Sequence, residues 1–352
     1  MKEFRHIMMI FALVALAAGC SKVEVVNAPE REISFTVGSY APATKAVAVT
    51  EFNSFSSKGY LHAEGVDGTQ DFFGAAGETI TFNGTDTWAP SHPYYWPKGE
   101  SSYINFVSWY DKKGAPSSVS ETTISWTNRT ITQDDNILVA DKAWYQKENV
   151  QNYYTPGVPT LFKHLLAQVG VQAKATLDEE TEGNVETTWT VKISNVTIHD
   201  VHTSGSLSLS NTTAPAEAET LKTTEWTGSW EVGSTTGNIS GAATATTLDA
   251  TDYTEILSWH AVLPQSIDDI YMSFDYEITT ASENTTTHNT HTVTETINVP
   301  NLALSSFSGS VAEWQTNKKI TYRININPKT NIISVVPSVD AWETASQSII
   351  VE

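Results

Sequence analysis

Cysteine is almost missing: the 352-residue chain has one, Cys20, so no internal disulfide can support the fold. Charge is sparse at 17% of residues, and bases are the scarcer sign, 20 against 40 acids, for a net charge of −20. A surface of that sign repels phosphate, which argues against nucleic acid as a partner. Long apolar runs are confined to the first twenty residues, and helical periodicity is scarce beyond them. There is no G-x-S-x-G for a nucleophile, no H-E-x-x-H for zinc and no glycine loop between a strand and a helix to cradle phosphate. No catalytic residue, metal or cofactor is assigned, and an enzyme is not expected.

What is present begins with an export signal. Lys2 and Arg5 precede "IMMIFALVALAAG", Ile7 to Gly19, shorter than the roughly 20 apolar residues of a spanning helix. It ends in "LAAGC", which resembles a bacterial lipobox, although Ala17 stands where leucine is common and Leu16 is one place early. The expectation is a signal peptide over 1–19, lipid on Cys20 and a polar tether over 20–32. Several acyl chains on one cysteine suffice for stable anchoring.

From there the chain reads as all-β. "ISFTVGS" puts Ile33, Phe35 and Val37 on one face, the period of a strand. Short alternating runs then recur between Gly, Pro, Asn and Asp, as in "ETITFNGTDTW", "SSYINFVSWY", "TTWTVKISNVTIHDV" and "KKITYRININP". The length suggests about two domains. "TPGVP", Thr155 to Pro159, breaks any continuing element, so the boundary is placed between residues 157 and 158, giving domains 33–157 and 158–352. "TPGVPTLFKHLLAQVGVQAKA" admits a helical stripe of Leu161, Leu165, Leu166 and Val169. It also admits a strand face of Leu161, Leu165, Ala167, Val169, Val171, Ala173 and Ala175. Gly170 and the β-branched valines favour the strand, after a helical turn over Thr160 to His164.

Polar candidates have ordinary explanations. His199 with His202, and His288 with His291, are three apart, so on a strand they point to opposite faces and do not converge on a metal. His164 reads as a half-buried, hydrogen-bonded residue. Asp134, Asp135, Asn136 and Asp141 lack the alternation and glycine of a calcium loop and read as an Asx-type turn. The eleven tryptophans either fill a core or form a surface for sugar stacking, so a host protein or glycan is a further candidate partner.

Several pieces together resemble the fimbrillin-like lipoproteins of Bacteroidales, the subunits and accessory proteins of type V pili. They are "AAGC", "ISFTVG…TKA", "YYWPKGESSYINFVSWY", "NILVADK", "PTLFKHLLAQVGVQAKA", "VLPQSI", "WQTNKKITYRININ" and "ISVVPSVDAWE". The resemblance implies two transthyretin-like β-sandwich domains in tandem and a surface-exposed place at the outer membrane, in a fimbrium that supports adhesion. It also implies trimming by a trypsin-like protease, at Lys45 or at Arg31, and polymerisation with neighbouring subunits, like or unlike, by donor-strand exchange. The displaced strand would be Ile33, Phe35 and Val37, leaving an uncovered edge, and the donor the C-terminal tail with Val339, Trp342, Ile349 and Val351. The alternative is an anchor, tip or glycan-binding surface lipoprotein that does not polymerise.

Overall fold

The computed structural model describes residues 32–39, 52–85, 87–97, 102–146, 157–176, 180–214, 222–307 and 309–342. Within them the chain is all-β, and the 3-10 turn Leu304–Ser306 is the sole helical element. The first strands are β1 (Phe35–Ser39), β2 (Ser54–His62), β3 (Gln70–Asp71), β4 (Glu78–Phe82), β5 (Trp88–Pro90) and β6 (Tyr103–Asp111). Next come β7 (Ser118–Val119), β8 (Thr123–Thr130), β9 (Ile137–Ala140), β10 (Lys142–Gln146) and β11 (Val158–His164). The chain continues through β12 (Ala167–Ala175), β13 (Glu180–Glu182), β14 (Val185–His202), β15 (Ser204–Ser210) and β16 (Lys222–Thr224). Then follow β17 (Trp230–Val232), β18 (Thr236–Ser240), β19 (Thr246–Thr247), β20 (Thr254–Val262) and β21 (Gln265–Ser266). The last are β22 (Tyr271–Asn284), β23 (Thr290–Ala303), β24 (Glu313–Trp314), β25 (Lys318–Asn327) and β26 (Ile332–Ala341).

The first half closes on itself. Strands run β6-β9-β11-β1-β5-β4-β2, and β2 pairs back onto β6 from Ser56 with Trp109 to His62 with Tyr103. The result is a seven-stranded barrel, with β10, β16 and β3 attached at its margins. An open sandwich was the expectation for this half. Closure instead removes the edges that a sheet would leave unpaired. Its interior is aromatic, with Phe35, Phe52, Phe55, Phe73, Trp88, Phe106 and Phe162 in one cluster.

β6 and β9 explain why parts of the sequence lack alternation. Ile104 and Phe106 of β6 face the barrel core, while Val107 and Trp109 belong to a second cluster outside it. β9 divides in the same way, Leu138 and Ala140 inward and Ile137 and Val139 outward. Strands buried on both faces read as continuous apolar runs. The outer cluster is covered by a small sheet in the order β17-β15-β8-β7. β8 pairs with β15 from Ser204 with Thr130 to Ser210 with Thr123, and β10 pairs with β16. The two halves of the sequence are therefore interleaved.

The second half is a sandwich: β20-β12-β25-β26 packs on β13-β14-β22-β23 around one large core. β12 holds the period-two face expected of it, with Ala167, Val169, Val171, Ala173 and Ala175 all fully buried. Gly170 lets the Trp259 ring pack closely on the strand, since a Cβ there would lie 3.1 Å from it and the ring would have to shift. The expected helical turn over Thr160 to His164 is instead strand: it lies in β11, between β9 and β1 in the barrel. Strand pairing consequently does not change at residues 157 and 158. The chain leaves the barrel after His164 and enters the sandwich at Ala167.

Candidate functional site

The segment of Ile33, Phe35 and Val37 is a stave of the barrel. Ile33, Phe35 and Val37 are 2%, 2% and 1% exposed, with Ser34 and Thr36 less buried between them. Alternation thus does what it predicts, one face into the core. The Phe35 ring stands edge-on to Phe106, with centroids 5.5 Å apart, and to Phe55 at 5.8 Å, and lies 6.4 Å from Phe73. Such edge-to-face pairs add to the burial itself.

β1 is unequally held. On one side it runs parallel to β11 through five residue pairs, Phe35 with Val158 to Ser39 with Phe162. On the other it meets β5 at one pair, Phe35 with Trp88. Two backbone bonds hold its start: the Ile33 N–H donates to the Tyr94 carbonyl at 2.7 Å, and the Val158 N–H donates to the Ser34 carbonyl at 2.7 Å. Gly157 leads directly into β11. Gly157 has φ +79°, and a Cβ on it would lie 2.8 Å from the Ser34 carbonyl oxygen. Only glycine combines that backbone with that approach.

The C-terminal candidates are placed differently from the expectation. Val339 pairs with Ile320 in β26, the edge strand of the β20-β12-β25-β26 sheet. Trp342 is 7% exposed, its N–H donates to the Asn317 carbonyl at 3.0 Å, and its ring stacks on His164 at 3.8 Å and 10°. Both residues have partners within this chain's own fold. Packing of Trp342 onto the end of β11 gave no local signal in the sequence. Ile349 and Val351 lie outside the described residues, as do Cys20, Arg31 and Lys45.

His164 is fully buried rather than half-buried, and Nδ1 lies 2.8 Å from the Asn136 side-chain oxygen. Burial pushes its pKa down to about 3, so the ring is neutral, which suits stacking on an indole. Asp135 does not make the expected Asx-type turn but closes the turn backwards, its carboxylate accepting from the Thr132 N–H and hydroxyl at 2.7 and 2.8 Å while its own N–H donates to the Thr132 carbonyl. It also shares Arg129 with Asp111, at 2.7 and 2.9 Å, and both carboxylate side chains are fully buried. That Arg129 centre was missed in the sequence because its partners come from β6, β8 and the turn before β9. His199 bonds the Ser273 hydroxyl at 2.7 Å and stacks on Tyr271, while His288 pairs with Glu283 in an exposed turn. Among the described residues no cluster of His, Cys, Asp or Glu could hold a metal, and no helix is long and apolar enough to cross a membrane. None of the eleven tryptophans is an exposed side chain, whereas Tyr95 and Tyr253 are exposed.

A family model described as fimbrillin-like matches residues 59–342; it begins within β2 and leaves β1 out. No curated protein matches the chain. Among solved structures, a fimbrial protein from Bacteroides vulgatus is 16% identical, with a TM-score of 0.49 over 89% of this chain and 100% of that one. A tip fimbrial protein from Porphyromonas gingivalis, with a C-terminal truncation, is 10% identical, with a TM-score of 0.31 over 88% of this chain and 100% of that one.

Proposed function

The chain belongs to the fimbrillin-like family, and from that premise we propose that it is a subunit of a cell-surface fimbria, exported as a lipoprotein through Cys20 and assembled by strand exchange at the seat of β1. Family membership supports a fimbrial or adhesive role and not a catalytic one. The proposal keeps the family's tandem transthyretin-like plan, with the first unit closed into a barrel by β1. The observation that carries it is that closure: β1 lies between two neighbours, holds one of them by a single residue pair, and fills the core with three apolar side chains.

Magnitudes favour exchange only after a cut. Burial of Ile33, Phe35 and Val37 contributes on the order of 5–9 kcal/mol, ample while the strand is tethered. A severed strand also faces an association cost of about 4–15 kcal/mol, so it can leave, and a neighbour's segment can take the place by β-augmentation. The two candidate processing points differ here. A cut at Arg31 falls before β1 and leaves it tethered to β2, whereas a cut at Lys45 falls between β1 and β2 and frees it. Lys45 is the productive site on this reading. A non-closing contact of this kind builds a filament.

The test is limited trypsin digestion of the chain without residues 1–19, followed by N-terminal sequencing and negative-stain electron microscopy. A start at Ala46 is expected, with filaments formed by the trimmed chain alone or together with another subunit; clean trimming that leaves monomers in both cases refutes the proposal. A second reading, a subunit that accepts a strand without donating one, is favoured by the seating of Val339 and Trp342 in the chain's own fold. It is distinguished by filaments that appear only when another subunit is added.

A further inference from the structure

The backbone contacts of β1 are generic, so any extended segment could make them. The side-chain sockets are not. Phe35 is among the largest fully buried side chains of the described residues and is ringed by Phe55, Phe73 and Phe106. Ile33 and Val37 occupy the flanking sockets two residues either side and are equally buried. A replacement strand therefore has to offer an aromatic in the middle with apolar side chains at both flanks. An aliphatic in the centre leaves a void among three rings, and a polar flank is buried away from water.

Residues 343–352, "ETASQSIIVE", contain no aromatic. With Ile349 in the central socket, Gln347 falls in one flanking socket whichever way the strand runs. With Ile350 there, Ser348 and Glu352 fall in both. The aromatic just upstream, Trp342, has Asp340 and Thr344 as its flanks, and it is already stacked on His164. Every frame of this segment mismatches the seat.

We propose that the seat of β1 is selective for an aromatic at the Phe35 position, and that the strand it accepts comes from a subunit of different sequence, not from residues 343–352 of a second copy. This rests on the strand-exchange reading above. The test uses a chain with a specific protease site placed within residues 40–51 and a fluorophore on the N-terminal fragment. The fragment is seated at the moment of cutting and the competitors are added at once, so no empty barrel has to survive beforehand. Displacement is then followed by anisotropy with three competing peptides: residues 32–39, the same peptide with Phe35→Ala, and residues 343–352. The unchanged 32–39 peptide is expected to displace the fragment at a concentration at least tenfold lower than either of the others. Displacement by the 343–352 peptide, or by the Phe35→Ala peptide, within tenfold of the unchanged one overturns the selectivity while leaving strand exchange standing. If no peptide displaces the fragment, including β1's own sequence, the seat does not exchange and both readings fail.

Discussion

Asp141 offers a test in which two electrostatic effects oppose each other. It lies between β9 and β10, its residue is 4% exposed, and its N–H donates to the Leu161 carbonyl of β11. Lys163 of β11 stands 3.9 Å from its carboxylate, a distance that suggests a stabilising ion pair. The same Lys163 is 2.7 Å from Glu225, which draws it away and adds a like charge nearby. Burial outweighs the lysine and pushes the Asp141 carboxyl up to about 6, from an ordinary value of 3.8. A raised pKa in the folded state means that the proton favours folding. Stability is fully present below pH 3.8 and is lost as pH rises through 6. Two pH units correspond to a ceiling of about 3 kcal/mol, and relaxation of the site brings the expected loss to on the order of 1–3 kcal/mol. The Asp141→Asn variant keeps the shape without ionising. Urea denaturation of both proteins from pH 4 to pH 8 is the assay, and the difference between them cancels the other carboxylates. Asp141→Asn is expected to be the more stable protein at pH 8, with its advantage shrinking towards pH 4. An Asp141→Asn protein less stable than the parent at pH 8 would show that the Lys163 pair wins and would refute the reasoning.

Two further outcomes follow from buried contacts. Arg129→Met leaves the buried carboxylates of Asp111 and Asp135 without their shared cation and is expected to cost about 3–5 kcal/mol; a shift of the urea midpoint reads it, and adding Asp111→Asn should recover part. Trp342→Ala removes a buried indole from His164 and is expected to destabilise the isolated chain by about 3–5 kcal/mol. An unchanged melting temperature would return Trp342 to the pool of free donor residues.

What could be read from the sequence is what depends on near neighbours. The alternation of Ile33, Phe35 and Val37, and of Ala167 through Ala175, sets which face of each strand is apolar, and these faces are buried as expected. Residues two apart on a strand share a face whatever the partner strand is. Composition alone argued against disulfides, and the recurring alternating runs pointed to an all-β chain.

Partner choice was decided only in three dimensions. The closing of β2 onto β6, the parallel seat of β1 on β11 and the stacking of Trp342 on His164 each join segments distant in sequence. Alternation specifies a face but not a neighbour, so the same pattern serves an open sandwich or a closed barrel. Gly157 shows the difference: within "TPGVP" it reads as part of a domain break in sequence, and in the fold it makes a close approach to Ser34. Whether a turn separates two units or joins a strand to its neighbour depends on which backbone it meets, and tertiary packing supplies that.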